Sequence, residues 1–312
     1  MSWSIRYVGD ERSFARWGGV KDIYFSLDQF ESVDSLVDGC YTIYESGALI
    51  DINVEAASAG PLLVFFNGAK NREDSTKLPI FSGAKVTPSG KASRLSINDP
   101  ALYLADDISM GWYAGTKTIA LQKDIIPRIV SKVASLLSAS KIVFVGGSAG
   151  GFASLFYASK FPDSICITSN PQTSIFRYYK SHVNRYLKYG FDVESVDAVR
   201  ANSKLTRGTV TNLLKYYDGS LKNKTLYMQN QKDLHHVNRH YIPFLESLGV
   251  EPMLNAGAHQ HNDHLVTCNG DWGDGHKTAP RGFWANVLNN VVENVNDIED
   301  MFAHKRAADL FK

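Results

Sequence analysis

Residues 141–152 read KIVFVGGSAGGF, one serine set among glycines directly behind a run of β-branched and aromatic residues. The run reads as a buried strand, and the compact apolar GFASLFYASK that follows reads as a helix. A parallel strand that feeds a helix through one residue forces that residue into a strained backbone conformation. Its side chain then projects from the carboxyl edge of the sheet. Only small neighbours fit around it, and the residues two before and two after Ser148 are Gly146 and Gly150, with Gly147 and Gly151 adding room. The competing reading is a glycine-rich turn that cradles a phosphate. It lacks the lysine of a P-loop, and G-x-G-x-x-G does not occur.

Short runs rich in Val, Ile and aromatics recur at 40–44, 50–54, 62–66, 94–97, 142–145, 165–168, 225–229 and 252–255, and helical patterns separate the later ones. The segment 124–137 carries Ile125, Ile129, Val133, Leu136 and Leu137 at helical spacing, 237–248 is amphipathic, and Pro280 opens a helix striped by Phe283, Val287, Val291 and Val295. The early strands look antiparallel and the later alternation implies parallel pairing. The expectation is an α/β fold with a mostly parallel eight-stranded sheet flanked by helices, in a single domain over 1–312. The stretch 173–223 is far longer than a crossover needs and is expected to be a helical lid insertion.

The 312 residues, 44% hydrophobic, suffice for a full core. Lys plus Arg at 33 against Asp plus Glu at 32 leaves a formal charge of +1, so no overall field favours nucleic acid or an anionic membrane. The N-terminal MSWSIRYVGDERSF lacks the apolar core of a signal peptide and no later run would span a bilayer, so the expected location is cytoplasmic, without a membrane span. Cys40, Cys166 and Cys268 are widely spaced without C-x-x-C, which argues against a disulfide framework and a thiolate zinc site.

With strand before and helix after, G-x-S-x-G has the context of a nucleophile elbow, and over residues 40 to the last helix the chain resembles the α/β-hydrolase superfamily. That resemblance implies an α/β-hydrolase fold and a Ser, then an acid, then a His along the chain. The loop behind the strand at 225–229 has one carboxylate, Asp233, which fits the acid. Of His259, His261, His264 and His276, the last matches the loop-then-helix context of the base, with His264 in reserve. The oxyanion hole is expected from the amide of Ala149 and from Gly68 or Ala69, in a loop where this chain has Asn67-Gly68 and the family often has His-Gly. Asn170 ends the previous strand, where some members carry the acid, but its neutral amide cannot serve.

His259-Gln260-His261-Asn262-Asp263-His264 spells H-x-H-x-D-H, a metal-ligand string of metallo-β-lactamase-like hydrolases. Only His276 and His304 follow His264, so a dinuclear ligand set cannot easily be completed, and no metal or other cofactor is expected. For the substrate, Asn67, Trp112 and Tyr113 are candidate pocket residues. Arg177 and Lys180, with Asn184 and Lys188 on one helical side, form either a solvated face or a rim for an anionic or sugar-rich ligand. The segments SINDPALYL, GWYAG and SNPQ resemble bacterial α/β-hydrolases that accompany surface-glycan genes. The reading is a serine esterase acting on an acylated glycan or a small-molecule ester. The alternatives are an acyltransferase or peptidase with the same triad, a non-catalytic glycan-binding or assembly protein that keeps the fold, and the metal hydrolase.

Overall fold

A computed structural model of the chain describes residues 12–72 and 77–312; most of the N-terminal stretch read for a signal peptide lies outside them. The strands are β1 Val20–Tyr24, β2 Gly39–Glu45, β3 Ala48–Glu55, β4 Leu62–Phe66, β5 Ser93–Ile97, β6 Ile142–Gly147, β7 Ile165–Ser169, β8 Lys224–Asn230, β9 Gly257–Gln260 and β10 Leu265–Gly270. They form one sheet in the order β1-β2-β3-β5-β4-β6-β7-β8-β10-β9. From β5 to β10 every neighbour is parallel. The pairs β2-β3, β3-β5 and β9-β10 are antiparallel. The β2-β3 hairpin turns on Ser46 and Gly47, both with positive φ, as a two-residue turn matched to strand twist requires.

The central strands are apolar on both faces because helices cover both. Helices Ile126–Leu136 and Ala149–Ala158 pack one core with Phe66, Phe144, Phe152 and Tyr157. Helices Arg281–Glu293 and Ile298–Ala303 pack the other with Leu63, Val143, Val287 and Val291. Pro280 stands one residue ahead of its helix, as the N-cap.

Three expectations need correction. The sheet has ten strands among the described residues, not eight. Three strands have no expected counterpart and one expected strand is lost: 252–255 is irregular, whereas β9 and β10 form a hairpin just behind it, and β1 adds an edge. Strand β1 escapes a periodicity search because it is exposed along most of its length. The insertion 173–223 is helical as expected, with helices Lys180–Phe191, Val196–Ala201 and Leu213–Tyr216. It is, however, part of the core layer: Val183, Tyr186, Leu187, Val199 and Leu213 are buried with the elbow helix, and the Tyr186 hydroxyl donates to the Gly115 carbonyl at 2.6 Å. No helix among the described residues is long and apolar enough to cross a membrane.

Candidate active site

Ser148 caps helix Ala149–Ala158 with φ 55° and ψ −121°, a conformation that costs an L residue about 1–3 kcal/mol. Its amide donates to the Ser169 carbonyl at 3.0 Å, which ties the turn to the end of β7. The flanking glycines are required sterically. A Cβ on Gly150 would stand 2.3 Å from the Phe66 carbonyl oxygen, and one on Gly146 2.4 Å from the Gly150 carbonyl oxygen.

Asp233 follows β8 and caps the turn Leu234–His236, its Oδ1 accepting from the His236 amide at 3.2 Å. Its other oxygen, Oδ2, accepts from His276 Nδ1 at 2.5 Å. His276 is 40% exposed and Asp233 4%. The structure therefore joins the expected acid and base directly. It also adds an unforeseen group. His236, buried at 1% exposure, holds Nδ1 2.8 Å from the same Oδ2, and its ring stacks on that of His276. Neither ring nitrogen of His236 has a well-aligned hydrogen-bond partner. Burial pulls the Asp233 carboxyl upward, but the close approach of His236 and His276 outweighs it and holds its pKa below the usual range. Burial lowers His236 to about 4, more than Asp233 raises it, so the ring is neutral. His240, 5.1 Å from the His236 ring, is likewise lowered by burial.

Two asparagines fix this arrangement. Asn170 Nδ2 donates to the Lys277 carbonyl at 2.8 Å while its Oδ1 accepts from the Asn230 amide at 2.7 Å. Asn230 Nδ2 donates to the carbonyls of Gly273 and Gly275 at 2.9 and 3.0 Å. The loop carrying His276 is thus clamped to the ends of β7 and β8.

Ser148 and His276 line one cavity of about 470 Å³. Its lining includes the polar Asn67, Lys70, Ser169, Asn170 and Arg281, the loop residues Gly68 and Ala69, and the apolar Phe65, Val86, Val145, Ala279 and Trp284. Among the described residues, the amides of Gly68, Ala69 and Ala149 donate to no protein acceptor. A Cβ on Gly68 would lie 3.5 Å from Ser148 Cβ, so this loop abuts Ser148. The Asn67 amide is spent on the Tyr113 hydroxyl at 2.7 Å. Burial, aided by nearby Arg16, lowers the Lys70 ammonium pKa.

The Ser148 hydroxyl makes no hydrogen bond to His276. Its Oγ accepts from Gln172 Nε2 at 2.9 Å. Nothing local in the sequence marks Gln172 for this role, although it closes the S-N-P-Q segment that begins at the last residue of β7.

The candidate substrate residues divide. Asn67 lines the cavity, with its side chain donating to the Ile80 carbonyl. Trp112 and Tyr113 are buried scaffold and do not line it. The Tyr113 hydroxyl donates to the Ile97 carbonyl at 3.0 Å, and Trp112 Nε1 donates to Gln172 Oε1. Buried Asp99 organises them, accepting from the amides of Gly111 and Tyr113 at 2.7 and 3.2 Å. Arg177 and Lys180 lie on the exposed face of the insertion, away from the cavity lining, and Lys180 pairs with Asp197 at 3.0 Å.

The H-x-H-x-D-H string runs along the β9-β10 hairpin. His259 bonds the Asn255 carbonyl at 3.1 Å and His261 the Thr267 hydroxyl at 2.8 Å, and the string forms no cluster of convergent ligand atoms among the described residues. His264 precedes β10, whereas the site lies past the carboxyl ends of the strands, roughly 20 Å along a strand of this length. The group of potential metal ligands among the described residues is instead Asp233, His236 and His276. An imidazole lone pair lies in its ring plane, and these two planes are 12° from parallel with centroids 4.1 Å apart, so one ion cannot lie in both.

No protein-family model and no curated protein matches the sequence. Solved structures do match in fold. The capsule O-acetyltransferase of Neisseria meningitidis serogroup A aligns with a TM-score of 0.54 at 16% identity, over 80% of this chain and 95% of that one. A mutant of that enzyme in complex with CoA aligns at 0.52 and 15% identity, over 83% and 95%. A Bacteroides ovatus protein assigned as a dipeptidyl aminopeptidase IV aligns at 0.52 and 13% identity, over 88% of this chain and 37% of that one. The architecture is α/β-hydrolase-like.

Proposed function

We propose that this chain is a serine acyl-transfer enzyme that cleaves a carboxylic ester, with Ser148 as nucleophile, His276 as base and acid, and Asp233 as its orienting carboxylate. The observation that carries the reading is the 2.5 Å hydrogen bond from His276 Nδ1 to Asp233, made at the edge of the cavity that Ser148 enters from a positive-φ turn. With Nδ1 held by the carboxylate, Nε2 is the ring atom left to take a proton.

Ser148 Oγ attacks the ester carbon and its proton passes to His276 Nε2. The carbonyl π pair moves to the oxygen, where the amides of Ala149 and Gly68 or Ala69 receive it. Collapse breaks the bond to the alcohol, which leaves with the proton from His276. Water then loses a proton to His276, attacks the acyl carbon and restores the Ser148 hydroxyl. The apolar lining residues Phe65, Val86, Val145 and Trp284 suit a short acyl chain, and the cationic Lys70 and Arg281 suit a polar alcohol such as a glycan.

A second reading, O-acyl transfer, replaces water by a sugar hydroxyl in the last step. It is favoured by the likeness to an O-acetyltransferase that extends over 95% of that chain. A CoA thioester is then the natural donor class, given the CoA complex of that neighbour and the two cationic side chains on this cavity.

The test is labelling with a fluorophosphonate and turnover of short p-nitrophenyl esters. Wild type should be labelled and should hydrolyse the ester, and Ser148→Ala should do neither. An unlabelled, inactive wild type would overturn the enzyme reading and leave a binding protein that keeps the fold. Adding soluble glycan acceptors with acetyl-CoA separates the two reactions: acetylated glycan indicates transfer, and free acetate alone indicates hydrolysis.

A further inference from the structure

The Ser148 hydroxyl is held by a side chain whose orientation is fixed from behind. Gln172 is fully buried just beyond β7, and its backbone amide donates to the Ser148 carbonyl at 3.1 Å, so its backbone is locked to the Ser148 turn. Its Oε1 accepts from Trp112 Nε1. An indole nitrogen only donates, so the carboxamide oxygen must face Trp112 and the NH2 must face Ser148. The Nε2 group therefore stands 2.9 Å from Oγ as a donor that cannot flip without leaving the indole N–H unsatisfied. Trp112 is held in turn by the loop that Asp99 pins through Gly111 and Tyr113.

We propose that Gln172 is a catalytic residue, a fixed hydrogen-bond donor to Ser148 Oγ; the proposal rests on the Ser148 reading above. Because Gln172 donates, the serine oxygen accepts and keeps its own proton free for His276. As that proton leaves, negative charge grows on Oγ and the Gln172 bond becomes charge-assisted, stronger in the transition state than at rest. The same donor faces Oγ again when the acyl-enzyme breaks down and the serine oxygen must depart with the bond pair. Gln172 transfers no proton in either step. This gives the site two separate sets of donors, backbone amides for the carbonyl oxygen and Gln172 for the nucleophile.

The experiment measures the second-order rate of fluorophosphonate labelling at Ser148, with thermal unfolding as a check on folding. Gln172→Leu removes the donor and should slow labelling about 10²-fold or more, the loss typical of one preorganised donor. Gln172→Glu keeps the size and the acceptor for Trp112 but presents a carboxylate to Oγ. Labelling should be slow at about pH 8 and should recover relative to wild type toward about pH 5, as the buried carboxyl protonates and donates again. Trp112→Phe leaves Gln172 in place but unlocks its amide, and should cost about tenfold. If Gln172→Leu does not fold, the pH-dependent rescue of Gln172→Glu decides. Wild-type rates in the variants, or a Gln172→Glu defect unchanged with pH, would overturn the proposal. Wild type that is itself unlabelled would instead remove the reading on which it rests.

Discussion

The imidazole of His236 lies flat against that of His276, centroids 4.1 Å apart and planes 12° from parallel, with both Nδ1 atoms on one carboxylate oxygen at 2.8 and 2.5 Å. The stack fixes the plane of His276, and the shared carboxylate fixes its rotation. His236→Ala removes the face and leaves His276, already 40% exposed, free to swing. We expect kcat to fall about 10²-fold with KM little changed, since a small misplacement of the proposed base costs that much without touching substrate binding. His236→Phe restores the face and should recover most of kcat. Equal, large losses in both variants would show that the second Nδ1, not the stack, is what the site needs.

The same residue sets a pH dependence of stability. The groups facing His236 are Asp233, His235, His240, His276 and Tyr178. Its pKa is about 4 in the folded chain against 6.5 ordinarily, so the unfolded chain binds the extra proton between those values. Stability therefore falls as pH drops from about 6.5 toward 4. Asp233 has the opposite kind of group and a lower window: its depressed pKa contributes stability above the ordinary carboxylate value that is lost only below it. Denaturant unfolding at pH 7 and 4.5 should show His236→Phe losing about 2–3 kcal/mol less than wild type between the two. His240 keeps its own share of the slope in both proteins. An identical pH slope in both would mean that His236 is charged when folded.

The two candidate bases separate cleanly by position. His264 sits at the amino end of β10 and His276 past its carboxyl end, against Asp233. His276→Ala should reduce ester turnover about 10³-fold or more, as loss of a triad member does, and His264→Ala should leave it within about twofold. Reversed effects in a kcat/KM comparison would sink the assignment.

What the sequence revealed follows from how local each signal is. Ser148 was legible because the steric demand of the turn falls on its immediate neighbours, Gly146 and Gly150. The buried strands β4, β6 and β7 were legible because burial on both faces writes an unbroken apolar run. Asp233 and His276 came through a family pattern of loop order, and only folding could bring them within 2.5 Å. The roles of Gln172, Asn170 and Asn230 depend on partners far away in the chain, and that of His236 on the distant ring of His276 as well as on nearby Asp233. Trp112 meets Gln172 across 60 residues, and Asn170 meets Lys277 across 107. An aromatic cluster beside a strand end reads as a pocket wall, yet Trp112 and Tyr113 each spend a polar atom on holding the loops behind the site. The edge strand β1 and the β9-β10 hairpin lack the apolar run that marked the centre, since β1 and β9 are largely exposed or half-buried.

The elbow glycines make a final prediction, graded by what each added methyl would meet. On Gly150 it would press on the Phe66 carbonyl oxygen at 2.3 Å and on Asn67 backbone atoms at 2.8 Å, and neither backbone can yield alone. Gly150→Ala must push the end of β4 and the following loop away from the helix. That loop carries Gly68 and Ala69, so stability and the proposed oxyanion geometry should fail together. Overpacking of this kind costs about 1–3 kcal/mol, a Tm loss on the order of 5 °C, and fluorophosphonate labelling should slow even in the folded fraction. On Gly147 the methyl would meet only the Ser169 carbonyl oxygen at 3.2 Å, a contact that a few tenths of an ångström relieve. Gly147→Ala should therefore keep a Tm close to wild type. If Gly150→Ala melts and labels like wild type, helix and loop are not as closely apposed as the elbow geometry requires.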